Sequence, residues 1–371
     1  MKAFRLSTLV ATLGASFVIA SAAQAEVIKI AAVGPVTGPL TQYGDMVREG
    51  LTTAIEKVNA EGGINGNTFE MVLVDDACEP KQGPTSANSV VNQKIKFVVG
   101  PVCSGAILGS APIFDEQGII MITPSGTSPT ITDGKDYDYV FRTIGRDDQQ
   151  GPPAAEYIAK IKPSKVAVLH DKQSYGQGVA ASTRDNLEKL GVKVELFEGI
   201  NAGESDYSSV ITKLKAAGVD FVYYGGYHPE LGLLLRQSKE QGFNAKFMGP
   251  EGVGNVDINA IAGDAVEGML LTFPADHSAL PENAEIVKLF KDKGRDASGA
   301  FQLTSYAAAQ AIFAGIKETG GTDTEKISEW LHSNKVPTVI GELSWQDSGD
   351  LTSFEFDVFE WHKDGSKSTA P

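Results

Sequence analysis

The stretch VIKIAAVGP, residues 27–35, begins the pattern that decides the fold. Its first seven residues are apolar or β-branched apart from one lysine, which is typical of a buried strand, and Gly34-Pro35 then marks a loop. Residues 43–60 follow with helical spacing and place Met46, Leu51 and Val58 on one face. Since parallel strands need a crossover that is usually a helix, this order predicts an α/β fold with parallel sheets.

The alternation of strand and helix runs to about residue 124 and restarts at residue 166. Two such series indicate two lobes, each a parallel sheet flanked by helices. The predicted strands are 27–33, 69–74, 97–100, 119–122, 166–169, 192–197, 221–224, 247–249, 268–273, 341–345 and 354–361. The predicted helices are 43–60, 86–93, 104–117, 178–190, 208–217, 229–241, 284–292, 300–319 and 324–333.

The chain is expected to cross between the lobes more than once. Gly145-Arg146 and Pro274 are plausible crossings, and the three helices after Pro274 have no sheet of their own. They would return to the first lobe, and a third crossing near Asp350 would send the last strand to the second lobe. We therefore expect residues 26–145 plus 275–350 to form lobe 1, and residues 146–274 plus 351–371 to form lobe 2.

The first 25 residues have the features of a secretory signal peptide. Lys2 and Arg5 precede an uncharged apolar run at 6–20, and residues 23–25 (AQA) fit the small-x-small rule for signal peptidase. A membrane anchor is the alternative, but the run is shorter than the ~20 residues that a span needs. The mature chain is expected to start at Glu26 and to be exported.

The charge balance limits the partners. The chain has 47 acidic and 32 basic side chains and a formal net charge of −15. Nucleic acid and anionic membrane surfaces would both repel such a protein. The balance therefore favours a soluble monomer that binds neither.

Cys78 and Cys103 are the two cysteines of the chain. An even count in an exported protein indicates one disulfide, which would stabilise the fold by about 3–4 kcal/mol in the chain-entropy model. Two free thiols or a metal pair remain the alternatives.

The sequence lacks the common catalytic motifs. It has no GxxxxGK[ST], no GxGxxG opening a helix, no GxSxG and no HExxH. The five histidines are scattered without the spacing of metal ligands. We therefore expect a binding protein without a metal or cofactor, not an enzyme.

Residues at the carboxyl ends of the predicted strands are the candidates for a ligand site, because open α/β sheets bind ligands there. Ser104 begins a helix, so its hydroxyl and backbone N–H suit a carboxylate, and Thr127 can act in the same way. Glu251 and the Ser125 carbonyl suit an ammonium group. Apolar walls can come from three tyrosines, Tyr43, Tyr175 and Tyr227. Each residue also has a purely structural alternative. Ser104 could be only a helix cap, Glu251 only a solvated loop acid, and the tyrosines only packing at the rim of the cleft.

At these same residues the chain resembles the periplasmic leucine/isoleucine/valine-binding proteins of ABC importers, which are type I periplasmic binding proteins. The resemblance runs over essentially the whole mature chain. The motifs that carry it include GPVTGPLTQYGD (34–45), VDDACEPKQ (74–82), ITPSGTSP (122–129), GRDDQQGP (145–152), HDKQSYGQG (170–178), FVYYGGYHPE (221–230) and FMGPEGV (247–253).

The resemblance implies a role for each site residue. The ligand carboxylate would bind Ser104 and Thr127, and the ammonium would bind the Ser125 carbonyl, Thr127 and Glu251. The side-chain pocket would consist of Tyr43, Tyr175 and Tyr227 with Phe301 nearby. It also implies a Cys78–Cys103 disulfide and three hinge crossings.

Ser125-Gly126 departs from the two alanines expected at this place. The Ser125 hydroxyl could therefore admit a smaller or more polar ligand.

The implied function is the capture of branched-chain L-amino acids between closing lobes, followed by delivery to a membrane permease. One alternative is the same fold with another amino acid or an amide as ligand. Another is a sensor that reports its ligand to a membrane receptor.

Overall fold

The computed structural model describes residues 26–371, so the predicted signal peptide lies outside the described residues. Two large sheets organise this part of the chain, one with five strands and one with seven. We call the first sheet with the helices packed on it the first lobe, and the second sheet with its helices the second lobe. The strands are β1 (Val27–Gly34), β2 (Thr68–Asp75), β3 (Phe97–Val99), β4 (Ile120–Thr123), β5 (Val140–Arg142), β6 (Val166–His170), β7 (Val194–Gly199), β8 (Phe221–Gly225), β9 (Lys246–Gly249), β10 (Met269–Pro274), β11 (Val336–Thr338), β12 (Gly341–Leu343), β13 (Phe356–Trp361) and β14 (Lys367–Thr369).

Helices connect most of these strands and cover both faces of the sheets. The α-helices are α1 (Thr41–Ala60), α2 (Gly83–Asn92), α3 (Ser104–Glu116), α4 (Asp147–Ile161), α5 (Ser174–Lys189), α6 (Ser208–Ala217), α7 (His228–Glu240), α8 (Ile258–Ala262), α9 (Ala284–Asp292), α10 (Gln302–Thr319) and α11 (Thr324–Ser333). Short 3₁₀ turns lie at Pro129–Ile131, Glu251–Val253, Gly263–Val266, His277–Ala279 and Pro281–Asn283.

The first sheet has the order β2-β1-β3-β4-β5, and all its strands are parallel. Every residue of β3, β4 and β5 is buried, which explains why β3 and the first three residues of β4 are continuous apolar runs rather than alternating ones. Strand β5 ends on the buried Arg142. Helix α10 packs against α1 and against β3 and β4. The two helices approach so closely that a Cβ at Gly50 would lie 2.3 Å from the Gln302 carbonyl oxygen.

The second sheet has the order β14-β13-β10-β9-β8-β6-β7. Its five strands from β6 to β10 are parallel, while β13 and β14 are antiparallel to their neighbours. The predicted two-lobe α/β fold with parallel sheets flanked by helices is therefore confirmed, with an antiparallel edge on the second sheet. The predicted strand at 341–345 is in fact half of a small hairpin, in which β12 pairs with β11.

Helix α4 is the main element absent from the predictions. It contains Pro152 and Pro153, which by sequence rules interrupt a helix because proline lacks the backbone N–H. Its interior face nevertheless buries Gly151, Ala154 and Ile158 against the second lobe. Tertiary packing outweighs local propensity here.

The Cys78–Cys103 disulfide is present, with the two Cα atoms 5.3 Å apart. Cys103 immediately precedes Ser104, the first residue of α3. The bond therefore ties the loop after β2 to the start of α3, next to a predicted ligand-binding residue.

Candidate functional site

The predicted site residues lie at strand ends and helix starts of both lobes. All of them are buried except Tyr227, which is partly buried. In the first lobe, Tyr43 lies in the first turn of α1, Ser104 starts α3, Ser125-Gly126-Thr127 follow β4, and Phe301 precedes α10. In the second lobe, Tyr175 lies in the first turn of α5, Tyr227 precedes α7, and Glu251 follows β9.

The four predicted aromatic residues form one cluster across the two lobes. The ring centroid of Tyr43 lies 5.7 Å from that of Tyr227 and 5.7 Å from that of Phe301. Tyr227 in turn lies 5.1 Å from Tyr175. Tilted rings at these separations are favourable contacts and present an apolar wall.

The Tyr43 hydroxyl joins the lobes through two short hydrogen bonds. It donates to the Gly252 carbonyl at 2.6 Å and lies 2.8 Å from His228 Nδ1. Burial lowers the pKa of His228 to about 4, so its ring is neutral near pH 7. Because the hydroxyl has given its one proton to Gly252, His228 must carry its proton on Nδ1 and donate it to Tyr43. The sequence analysis missed this role of His228.

A second contact between the lobes lies beside the first. The Gln42 side-chain amide donates to Asp257 Oδ2 at 2.5 Å. Gln42 and Tyr43 are neighbours in the first turn of α1, so this turn carries polar contacts to the opposite lobe.

Glu251 is only 1% exposed. Its backbone N–H donates to Gln150 Oε1 at 3.0 Å, and the next N–H, of Gly252, donates to the Tyr175 hydroxyl at 3.0 Å. Its Oε2 atom has no hydrogen-bond partner within residues 26–371. Burial raises the pKa of Glu251 to about 7, although the Gln150 and Tyr175 side chains oppose this shift. A buried carboxylate with an unused acceptor is suited to a cationic group.

The first-lobe loop after β4 is held differently. The Ser125 hydroxyl donates to the Val102 carbonyl at 2.9 Å, and the Gly126 N–H donates to Thr123 Oγ1 at 2.9 Å. A Cβ at Gly126 would lie 2.3 Å from Ile107 Cδ1, so the loop packs tightly on α3. The Ser104 hydroxyl accepts the Ser128 N–H at 3.4 Å. The Ser125 hydroxyl is thus engaged by the protein itself.

Thr127 is fully buried, and its hydroxyl has no hydrogen-bond partner in the described part of the chain. Its carbonyl accepts the Asp147 N–H at 2.9 Å. This places the start of α4 directly beside the loop after β4.

Asp147 is a further candidate site residue that the sequence analysis missed. It is 1% exposed, and neither of its carboxylate oxygens has a hydrogen-bond partner among the described residues. Burial and, next, the Glu251 carboxylate raise the pKa of Asp147 well above its ordinary value. In the sequence, only the two aspartates of GRDDQQGP point to Asp147, and they can be interpreted only once α4 is known to begin there. A cation placed beside Asp147 and Glu251 would favour the ionised form of both acids.

A cleft of about 460 Å³ lies between the lobes next to this cluster. Leu40, Cys103 and Gly105 line it from the first lobe, and Tyr175 and Tyr227 line it from the second. Ser104, Thr127 and Glu251 are not among its lining residues. The predicted polar contacts therefore lie deeper than the open part of the cleft.

The described residues contain no group of three or more His, Cys, Asp or Glu arranged to hold a metal ion. Among residues 26–371, no helix is long and apolar enough to cross a membrane.

Comparison with known proteins places this geometry in a family. The sequence model of the family described as "Periplasmic binding protein" matches residues 27–366. The chain is 50% identical over 365 residues to the "Leucine-, isoleucine-, valine-, threonine-, and alanine-binding protein" of Pseudomonas aeruginosa, with 98% of each chain covered. It is 47% identical over 349 residues to the "Leu/Ile/Val-binding protein" of Escherichia coli K12, with 94% of each covered.

A solved structure supports the same assignment. The crystal structure of a leucine-binding protein from Thermotoga maritima superposes with a TM-score of 0.85 at 27% sequence identity, covering 93% of this chain and 98% of that one. The chain belongs to the periplasmic binding protein family.

Proposed function

We propose that this protein is the substrate-binding component of an ABC importer and that it binds aliphatic L-amino acids, foremost leucine, isoleucine and valine. The observation that carries the proposal is the joint burial of Ser104, Thr127 and Glu251 beside an aromatic wall that spans both lobes. Relatives at 47–50% identity are named for binding leucine, isoleucine and valine.

In the proposed complex each end of the amino acid has its own partner. The carboxylate accepts hydrogen bonds from Ser104 and Thr127 at the start of α3 and in the loop after β4. The ammonium donates to the Ser125 carbonyl, the Thr127 hydroxyl and Glu251. The apolar side chain lies against Tyr43, Tyr175, Tyr227 and Phe301. D-amino acids bind poorly because the partners of the two charged groups are fixed in space.

We infer that Asp147 strengthens the ammonium end. Both Asp147 carboxylate oxygens and the Glu251 Oε2 atom lack hydrogen-bond partners among the described residues, and the Glu251 carboxylate raises the pKa of Asp147. A cation between the two acids would therefore stabilise their ionised forms. An amide ligand would supply no such charge, so this pair of acids favours an amino acid over an aliphatic amide.

Binding is proposed to close the two lobes about three hinge crossings, near Gly145-Arg146, Pro274 and Asp350. The moving units would be residues 26–145 plus 275–350 and residues 146–274 plus 351–371. Hinge closure belongs to the known repertoire of such proteins, and it strengthens ionic contacts by excluding water. The closed monomer would then present both lobes to the membrane permease, with no chemical change of the ligand.

A ligand as small as leucine can bind with the micromolar affinity that we expect. Leucine has about nine heavy atoms, and a ceiling near −1.5 kcal/mol per atom allows roughly −13 kcal/mol. Micromolar binding needs about −8 kcal/mol. One methylene is worth only ~1–3 kcal/mol in an apolar pocket, so leucine, isoleucine and valine should rank within about two orders of magnitude.

Ser125 does not support a shift of specificity toward polar ligands, because its hydroxyl already donates to the Val102 carbonyl. The Pseudomonas relative is named for threonine and alanine as well, so these smaller ligands are proposed as weaker ones. The protein is further proposed to be exported to the periplasm after cleavage behind Ala25.

Calorimetric titration into protein that has been unfolded and refolded, to remove bound ligand, tests the proposal. We expect one-to-one binding of L-leucine at micromolar affinity or tighter, competed by isoleucine and valine but not by D-leucine. Absence of binding by all three branched-chain amino acids would refute it. Pull-down of a membrane receptor instead of a permease would favour the sensor alternative.

A further inference from the structure

We propose that Arg142 is a positioning residue for the ligand carboxylate and that it acts through the peptide bond between Gly126 and Thr127. This inference rests on the proposed function, because it assumes a ligand whose carboxylate meets the Thr127 N–H. It concerns a residue 15 positions away in sequence from Thr127, at the end of β5.

The contact that carries the inference is a buried, charge-assisted hydrogen bond. Arg142 is 1% exposed, and its Nη1 atom donates to the Gly126 carbonyl at 2.8 Å. The same guanidinium donates to Thr132 Oγ1 at 2.9 Å and has weaker contacts with the Ser128 carbonyl at 3.4 and 3.5 Å. It thus spans the loop that holds the proposed ligand contacts.

The Gly126 carbonyl and the Thr127 N–H belong to one peptide unit. Resonance couples the two groups, so a cation at the oxygen draws electron density from the nitrogen and makes its N–H a stronger donor. Hydrogen bonds with one charged partner are roughly twice as strong as neutral ones. Arginine stays protonated even when buried, so this polarisation is permanent.

A carboxylate holds the guanidinium in place on its other side. Arg142 Nε lies 2.7 Å from Asp350 Oδ1, and Arg146 Nη1 donates to Asp350 Oδ2 at 2.7 Å. Burial raises the pKa of Asp350, but the charges of Arg142 and Arg146 outweigh it, and the pKa lies below its ordinary value. Asp350 is therefore ionised, and Arg146 pairs in addition with Asp133 and Asp148. Asp350 meets the guanidinium at Nε, which leaves Nη1 to donate to the Gly126 carbonyl.

The arrangement gives the site a cation for the carboxylate without placing one in contact with the ligand. A cation that touched the ligand would also stand close to the ammonium partners Glu251 and Asp147 and would pair with them. With its charge behind a peptide bond, Arg142 makes no hydrogen bond to Asp147, although its charge lowers the pKa of that acid.

The test compares L-leucine with L-leucinamide, which keeps the ammonium and the side chain but has no carboxylate. The variants are Arg142→Lys, which keeps a cation, and Arg142→Gln combined with Asp350→Asn, which removes the ion pair as a unit. We expect the double variant to bind leucine about tenfold more weakly than the wild-type protein does. Its affinity for leucinamide, measured by competition, should change less than twofold. Arg142→Lys should recover part of the loss. Asp350→Asn alone should lower the unfolding temperature yet keep the preference for leucine.

A second readout remains decisive if leucinamide does not compete in the wild-type protein. The amide proton of Thr127 in the leucine complex should move upfield in the double variant, since its hydrogen bond weakens. An unchanged Thr127 shift, or an equal loss of leucine and leucinamide binding, would overturn the role of Arg142 while leaving the proposed function intact. Failure of wild-type protein to bind leucine would instead remove the proposed function itself.

Discussion

The loop at 124–128 in the first lobe and the turn Glu251–Val253 in the second lobe contribute to opposite ends of the proposed site, and their polar groups are held in different ways. In the first lobe, Ser125 and Gly126 bond to neighbouring protein atoms, and Arg142 holds the Gly126 carbonyl. In the second lobe, Glu251 is held through its backbone N–H, whereas one of its carboxylate oxygens has no hydrogen-bond partner in the described structure.

This difference assigns different tasks to the two lobes. In the proposed complex, the first-lobe loop is already held by protein hydrogen bonds, so it would select a carboxylate at little cost in ordering. The second-lobe acid would gain its ionic partner only when the lobes close on the ammonium. On this proposal the first lobe selects the ligand, and the second lobe makes closure depend on the ammonium.

The largest expected effect comes from Glu251→Gln. The variant keeps the shape of the side chain but removes the charge, and leucine affinity should fall by about 2–4 kcal/mol, or about 30- to 1,000-fold, by calorimetry. Glu230→Gln is the matched control, because Glu230 is also a buried acid of the second lobe but bonds to the Gly203 N–H. The control should bind leucine normally. Equal losses in both variants would show that Glu251 acts only through stability.

Tyr43→Phe should have the next largest effect. It leaves the Gly252 carbonyl and the His228 Nδ1–H without a partner between the lobes, at a cost of about 1–3 kcal/mol to the closed state. The loss should appear mainly as faster dissociation of leucine in stopped-flow measurements, because the contact forms on closure. Tyr207→Phe is the control, since that hydroxyl donates to the Asn201 carbonyl within the second lobe. A slower association rate with unchanged dissociation would contradict the assignment.

The pH dependence should show a smaller effect. In the proposed complex Glu251 must be ionised to hold the ammonium, and burial raises its pKa to about 7. Leucine affinity should therefore fall as the pH drops below about 7, by at most about tenfold per pH unit, and binding should release a proton in that range. Calorimetry in buffers of different ionisation enthalpy measures this release.

Gln150 and Tyr175 lower the pKa of Glu251 against the effect of burial, and the Glu251 carboxylate in turn raises the pKa of Asp147. Asp147→Asn removes an acid whose own pKa is raised by burial and by Glu251, so the part of the pH dependence that comes from Asp147 should disappear while the part that comes from Glu251 remains. Asp148→Asn, at an exposed neighbouring position that pairs with Arg146, serves as its control. Binding that is independent of pH between 5 and 8 in the wild-type protein would refute this account of Glu251.

Ser125→Ala should have the smallest effect on binding. The hydroxyl is committed to the Val102 carbonyl, so its removal should cost about 1 kcal/mol of folding stability and change leucine affinity less than about twofold. Calorimetry with leucine, alanine and threonine, together with thermal unfolding, measures both quantities. A marked change in the ranking of the three ligands would mean that the hydroxyl faces the ligand after all.

Local patterns in the sequence predicted most of the fold but not all of it. Strand β3 and the first three residues of β4 are continuous apolar runs, so their prediction needs no tertiary information. Helix α4 begins with charged residues and contains two prolines, and only its packing on the second lobe shows that it is a helix. Asp147 could not be assigned without α4, since its position beside Thr127 depends on where this helix starts.

The sequence could propose site residues where one residue would act through its own chemistry at a strand end or helix start, as Ser104, Thr127 and Glu251 would. These assignments stay predictions. His228, Arg142 and Asp350 have contacts with distant parts of the chain, and nothing in their local sequence indicates those partners. Ser125 shows that residue type alone can mislead. A serine at this place suggested a ligand contact, but its hydroxyl donates to the Val102 carbonyl instead.

A crystal structure of the refolded protein with L-leucine tests the central claim most directly. We predict that the ligand carboxylate lies within hydrogen-bond distance of Ser104 and the Thr127 N–H, and that its ammonium contacts Glu251. The leucine side chain should pack against Tyr43, Tyr227 and Phe301. Leucine bound only in the outer cleft beside Leu40 and Gly105, without contact to Thr127 or Glu251, would contradict the account.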